Sequence, residues 1–228
     1  MPKNFTGLDT ETCNSLIDEN GALDLSQSLV YDVGWKIFNR KGRVKKRRSY
    51  VVAEIFLNKE LMESAYYKDK IPQYWEDIKS GKRELKSFRN IWLQFLSDRK
   101  KYNSKVVFAH NAYFDYNALN NTMRYLTKSR KRYFFPYKTE IWDTLKMARD
   151  VFGTSPKYIA FCEHHGFMTN HKNPRPRMTA EVLYRYLHNA LDFEESHTGL
   201  EDVEIESEIF LKCLKSHKKM RKALFRKG

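Results

Sequence analysis

The sequence predicts an α/β fold, a β-sheet sandwiched by helices. Three observations point to it. Apolar, β-branched and aromatic runs fill much of residues 4–57 and read as a meander. Strand-like runs then alternate with segments of helical period. Helical segments alone close the chain.

Residues 4–9 read as the first strand, and "NSLIDENGALDLSQ" (14–27) as a surface loop of turn formers. "SLVYDVGWKIF" (28–38) and "RSYVVAEIFL" (48–57) form a long hairpin around the basic tip "NRKGRVKKR". From 72 to 101 the pattern is helical, with Phe88, Ile91, Trp92, Phe95 and Leu96 at three- and four-residue spacing. "KVVFA" (105–109) is a short buried strand, and "YFDYNALNNTMRYL" (113–126) a helix. "YKTEIW" (137–142) is a strand that leads into a helix capped by Asp143. A helix over 155–165 stops at Gly166, and "NHKNPRPR" (170–177) is a basic loop. Helices follow at 179–190 and 199–215, and the basic tail, 216–228, is expected to fray. Trp35, Trp75, Trp92 and Trp142 are expected in or near the core.

At 228 residues and 41% hydrophobic content the chain suits a single domain, residues 1–228, with one substantial core. Its net charge of +14 implies a polyanionic partner, nucleic acid or a membrane surface. No run has the length of a membrane span, and residues 1–30 hold no signal-peptide core, so no membrane partner is expected. Cys13, Cys162 and Cys213 are scattered and form no CxxC, which fits a reducing cytoplasm. "EHH" (163–165) with His171 lacks a clean metal-ligand spacing and reads as structural or surface.

Asp9 and Glu11, in "FTGLDTET", point to one face if this is a strand. A divalent cation between them would relieve their repulsion; the alternative is a polar strand end facing water. Asp115 falls in the first turn of a helix that follows a buried strand, where open α/β sheets place their chemistry. The alternative is a simple complement to the helix dipole. Thr198 and Glu201 form a T-x-x-E capping box, which sets His197 at N′ and Asp202 at N4. Those positions touch in a hydrophobic staple, and a chain built only for stability would place apolar groups there. The alternative is a surface His–Asp pair worth well under ~1 kcal/mol.

Taken in order, Asp9-x-Glu11, Asp115 in "HNAYFD" and His197 with Asp202 resemble the DEDDh group of 3′–5′ exonucleases. "DTLKMAR" and "YIAFCEHHGF" are similar to that family's segment between its second and third motifs. The resemblance covers about residues 4–215. It implies a ribonuclease H-like fold: a mixed five-stranded sheet, antiparallel meander then parallel strands, flanked by helices. It also implies two divalent ions, Mg²⁺ or Mn²⁺, held by Asp9, Glu11, Asp115 and Asp202, with His197 as general base. The implied substrate is a single-stranded DNA or RNA 3′ end, DNA slightly favoured, cut to nucleoside 5′-monophosphates. Thr12, His110, Asn111 and Phe114 are the implied substrate contacts beside the motifs. One departure stands out: Cys13 and Asn14 follow Thr12, where many relatives read Thr-Thr-Gly.

From charge alone, the hairpin's Arg43, Lys45, Lys46 and Arg47 are further candidates for gripping phosphates, the alternative being a solvated turn. "KSRKRYFFPY" (128–137) could stack bases, or be an ordinary strand. Two competing functions share the fold: a non-catalytic nucleic-acid-binding module, and a polymerase-accessory subunit with a replication partner. Several relatives pair as homodimers.

Overall fold

Asn4–Cys13 forms the central strand, β1, because "NFTGLDTETC" buries residues on both of its faces. A strand buried on both faces needs cover on each side. The computed structural model describes residues 2–14, 16–17, 23–127, 130 and 132–225. After a two-stranded ribbon of β2 (Leu16–Ile17) and β3 (Leu23–Asp24) come β4 (Leu29–Asn39) and β5 (Val44–Val52). The ribbon replaces part of the loop expected at 14–27. Later strands are β6 (Glu84–Lys86), β7 (Ser104–Ala109) and β8 (Glu140–Asp143).

The main sheet has the order β6-β5-β4-β1-β7-β8. β1, β4 and β5 run antiparallel; β7 and β8 run parallel to β1 and to each other. This is the expected meander followed by parallel strands, with a sixth strand, β6, added parallel to β5. β6 lies inside the stretch read as helical. There α3 (Ile71–Lys79) ends at Ser80, and Gly81 takes φ +77, a left-handed turn no helix continues through. The helical period resumes in α4 (Phe88–Lys101), capped by Ser87.

The hairpin's second strand was expected to reach residue 57, but it stops at Val52. Ala53–Phe56 instead turns as α1, which buries Ile55 and Phe56. A short α2 (Lys59–Glu63) and a 3₁₀ turn (Lys68–Lys70) lead to α3. α5 (Tyr113–Leu126) and α6 (Thr144–Val151) follow β7 and β8, and α6 is capped as expected by the Asp143 carboxylate. α7 (Pro156–His164), α8 (Ala180–His188) and α9 (Gly199–Lys215) complete the chain.

Two cores sandwich the sheet. Alternation along β7 sends Val107 to one and Val106 with Phe108 to the other. The first core holds Trp35, Phe88, Phe95 and Leu119, with Trp35 and Phe95 edge to face at 5.5 Å. The second gathers α6–α9, where Phe108 stacks on Phe210 at 4.0 Å. Trp92 and Trp142 pack against these cores, but Trp75 is 45% exposed. Cys13, Cys162 and Cys213 are free and buried. Among the described residues no helix is long and apolar enough to cross a membrane.

The tail, expected to fray, instead covers the β8 edge. Asp143 N–H donates to Lys222 O at 2.7 Å and Leu224 N–H to Ile141 O at 2.9 Å. Pairing of this kind hides an otherwise open strand edge. Residues 226–228 lie outside the described residues.

Candidate active site

The C-terminal end of β1 carries Asp9 and Glu11 on the face that looks toward α9. The β1–β4 register shifts between Glu11 and Thr12, so the ladder is irregular beside these carboxylates. On the alternate face, the Thr10 hydroxyl donates to Asp115 Oδ1 at 2.9 Å. Asp115 sits in the first turn of α5 and is buried.

Asp202 comes from α9, and its position depends on how closely that helix approaches the sheet. A Cβ on Gly34 would lie 2.2 Å from Leu200 N, so only glycine admits the helix there. Gly199 N–H donates to the buried Asp32 carboxylate at 2.9 Å. Tyr74 OH donates to the same oxygen at 2.7 Å, and Arg83 Nη1 reaches it at 3.2 Å. Arg83 Nη2 also bonds Glu201 at 2.9 Å, so a buried cation clamps the first turn of α9 against β4.

Thr198 is the N-cap, as the T-x-x-E pattern predicts, but the box closes differently. Thr198 Oγ1 donates to Glu201 Oε2 at 3.0 Å, while Asp202 Oδ2 accepts the Thr198 N–H at 3.0 Å. Asp202 also accepts from Ser196 Oγ at 3.2 Å. The His197 ring lies 4.3 Å from Tyr67 at an interplanar angle of 11°, with its backbone at φ +47.

The structure brings the widely separated carboxylates together. Carboxylate oxygens of Asp9, Glu11 and Asp202 all lie within 4.8 Å of one another. They open on a cleft of about 380 Å³ that is also lined by Thr12, Tyr67, His110, Phe114, His197 and Glu206. Burial, then the charges of Glu206, Asp115, Asp202 and Glu11, holds the Asp9 carboxyl well above the usual range. Burial and then Asp202 do the same to Glu11, while Lys70 opposes them. Burial raises Asp115 to about 7 against the Thr10 hydrogen bond, and raises Asp202 to about 8 with help from Glu195. Burial and the Lys70 cation lower His197, which keeps the imidazole neutral at pH 7.

The other expected contacts are scattered. Thr12 and Phe114 line the cleft. His110 lines it too, but both ring nitrogens are engaged: Nε2 with Met178 O at 2.6 Å and Nδ1 with Thr144 Oγ1 at 3.1 Å. Asn111 is exposed at the turn before α5, with φ +64. The hairpin tip with Arg43, Lys45, Lys46 and Arg47 does not join the site. Asn39 at the tip pairs with Asn4, whereas Asp9 pairs with Gly34, so tip and carboxylates lie at opposite ends of β1. Arg47 is ion-paired with Glu204 at 2.6 Å. In 128–137, Phe134 and Phe135 are core residues rather than base-stacking platforms, and Lys128, Ser129 and Lys131 lie outside the described residues.

Sequence reasoning missed Glu206, Lys70 and Tyr67. Glu206 follows Asp202 by one helical turn, an i,i+4 spacing that was there to be read. Lys70, whose ammonium donates to Ser196 O, comes from a region with no local signal.

No protein-family model and no curated protein matches this sequence. Solved structures do match its fold. A full-length 3′-exonuclease superposes with a TM-score of 0.57 at 12% identity, covering 96% of this chain and 63% of that one. An exonuclease I/SSB-Ct complex gives 0.55 at 11% identity, covering 96% and 42%. The zinc-bound complex of E. coli exonuclease I with single-stranded DNA gives 0.54 at 12%, covering 94% and 40%. The chain thus spans less than two thirds of the length of these structures. At such identities the likeness establishes the fold alone, a ribonuclease H-like mixed sheet flanked by helices.

Proposed function

We propose that this chain is a metal-dependent 3′–5′ exonuclease of the DEDDh type that acts on single-stranded 3′ ends. The observation that carries the reading is the convergence of Asp9, Glu11 and Asp202 within 4.8 Å, with Asp115 behind them and His197 on the same cleft. Burial raises Asp9 and Glu11, and the neighbouring carboxylates add to it by repulsion. Divalent cations are the partners that such a set fits. The donors are all oxygen, which suits Mg²⁺ or Mn²⁺. Two ions would be held by Asp9, Glu11 and Asp202 on one side and by Asp9 and Asp115 on the other. When bound, they supply charge stabilisation to the attacking and leaving oxygens of an in-line displacement.

The chain's own residues do the rest. His197, neutral at pH 7, accepts the proton of the attacking water. The water oxygen bonds to the terminal phosphorus, the bond to the 3′-oxygen breaks, and a nucleoside 5′-monophosphate leaves. Thr12 and Phe114, on the cleft wall, orient the terminal nucleotide. Thr10 fixes Asp115, and the Thr198 N–H and Ser196 hydroxyl fix Asp202. DNA is the favoured substrate, in keeping with the single-stranded DNA held by a structure of the same fold.

The test uses DNA and RNA oligonucleotides labelled at the 5′ end, with Mg²⁺, Mn²⁺ or EDTA. A ladder that shrinks from the 3′ end only with metal is expected, and cleavage of closed circles or no metal-dependent cleavage overturns the reading.

A further inference from the structure

We propose that Glu206 is a fifth carboxylate ligand of the cation pair, on the side of the site served by Asp115. This deepens the exonuclease reading and rests on it.

Glu206 is 3% exposed, yet it lines the same cleft as Asp9 and Asp202. One turn separates it from Asp202 on α9, so both side chains share a face of that helix. The backbone N–H of His110, in the β7–α5 junction, donates to its carboxyl group. Its Oε2 is buried and has no hydrogen-bond partner among the described residues. A carboxyl oxygen sealed from water with no donor is costly. Selection for stability alone would have placed a leucine or a methionine there. Among the charges acting on Asp9, that of Glu206 ranks first, ahead of Asp115, Asp202 and Glu11. The strongest charge on Glu206 is in turn Asp115. The His110 N–H bond ties Glu206 to the junction that opens α5, the helix that carries Asp115, which sets Glu206 on Asp115's side of the shared Asp9. Besides the shared Asp9, that side has only Asp115 to offer a cation unless Glu206 joins it. Bound directly or through one water, a cation there would give Oε2 the partner it lacks.

The test is Mn²⁺ binding to the full chain, followed by electron paramagnetic resonance and titration calorimetry, in wild type, Glu206→Gln and Glu206→Asp. Wild type is expected to bind two ions. Glu206→Gln keeps the shape and should bind the weaker ion at least tenfold less tightly while keeping the tighter one. Glu206→Asp should fall between them. Near-ultraviolet circular dichroism in EDTA checks that each variant is folded; should Glu206→Gln not fold, the Glu206→Asp titration decides alone. Two ions bound with unchanged affinity in the folded variants overturn the role of Glu206 and leave the exonuclease reading standing. No Mn²⁺ bound by wild type overturns both.

Discussion

Gly34 of β4 and Gly199 of α9 lie in backbone contact: a Cβ on Gly199 would come within 2.7 Å of Gly34 N and 3.1 Å of Asp9 O. The second glycine thus touches the strand that bears the first catalytic candidate, and this contact sets where Asp202 meets Asp9. Gly34→Ala should destabilise the protein by at least about 3 kcal/mol, at the upper end of overpacking costs because the clash is with backbone. Urea unfolding measures it, and a loss under ~1 kcal/mol would show that α9 is free to move.

The Arg83 clamp makes a second, separable prediction. Its side chain is fully buried between Asp32, Asp77 and Glu201. Arg83→Met strands the Asp32 charge and should cost about 3–5 kcal/mol, the range for breaking one partner of a buried pair. Adding Asp32→Asn should recover much of that loss, since the stranded charge is then gone. Urea unfolding of both single variants and the double compares them, and strict additivity would mean the pair is not coupled.

Acidity offers a third check. Asp115 and Asp202 are raised to about 7 and about 8 from an ordinary aspartate value of 3.8, chiefly by burial. Between those limits the folded, metal-free chain binds more protons than the unfolded chain. Its stability is therefore greatest below pH 4 as far as these groups are concerned, and is lost as pH rises toward 8. In EDTA, the melting temperature should fall from pH 5 to pH 8, and Mn²⁺ should flatten the fall. A melting temperature that rises over that window in EDTA contradicts the assignment.

The hairpin provides a negative control. Five residue steps along β1, roughly 17 Å, lead from the Asn4–Asn39 pair to the Asp9–Gly34 pair. Arg43→Ala with Lys45→Ala should leave kcat on a trinucleotide within about twofold of wild type, a change under ~0.5 kcal/mol. A hundredfold drop would place the tip at the reacting end.

Much of this was legible in the sequence because it is local. "KVVFA" reads as a buried strand from its apolar run, and T-x-x-E fixes the first residue of α9 to the position. Other features are set at long range. Residues 79–84 hold no apolar side chain that could carry a helical period, and the strand at 84–86 forms by pairing with β5 beyond the left-handed Gly81. Nothing in "RKGRVKKR" tells which end of β1 the turn will face, because antiparallel pairing decides that. Phe134 and Phe135 look like a stacking platform after a run of charges, but packing against the Phe95 ring claims them for the core. Glu206 reads as one more acid on a polar helix face until β1 is packed against it.

Anomalous diffraction from crystals soaked in Mn²⁺ addresses the assembled site most directly. Two peaks should appear, one among Asp9, Glu11 and Asp202 and one beside Asp9 and Asp115. Manganese bound only elsewhere on the surface, with that cleft empty, would contradict it.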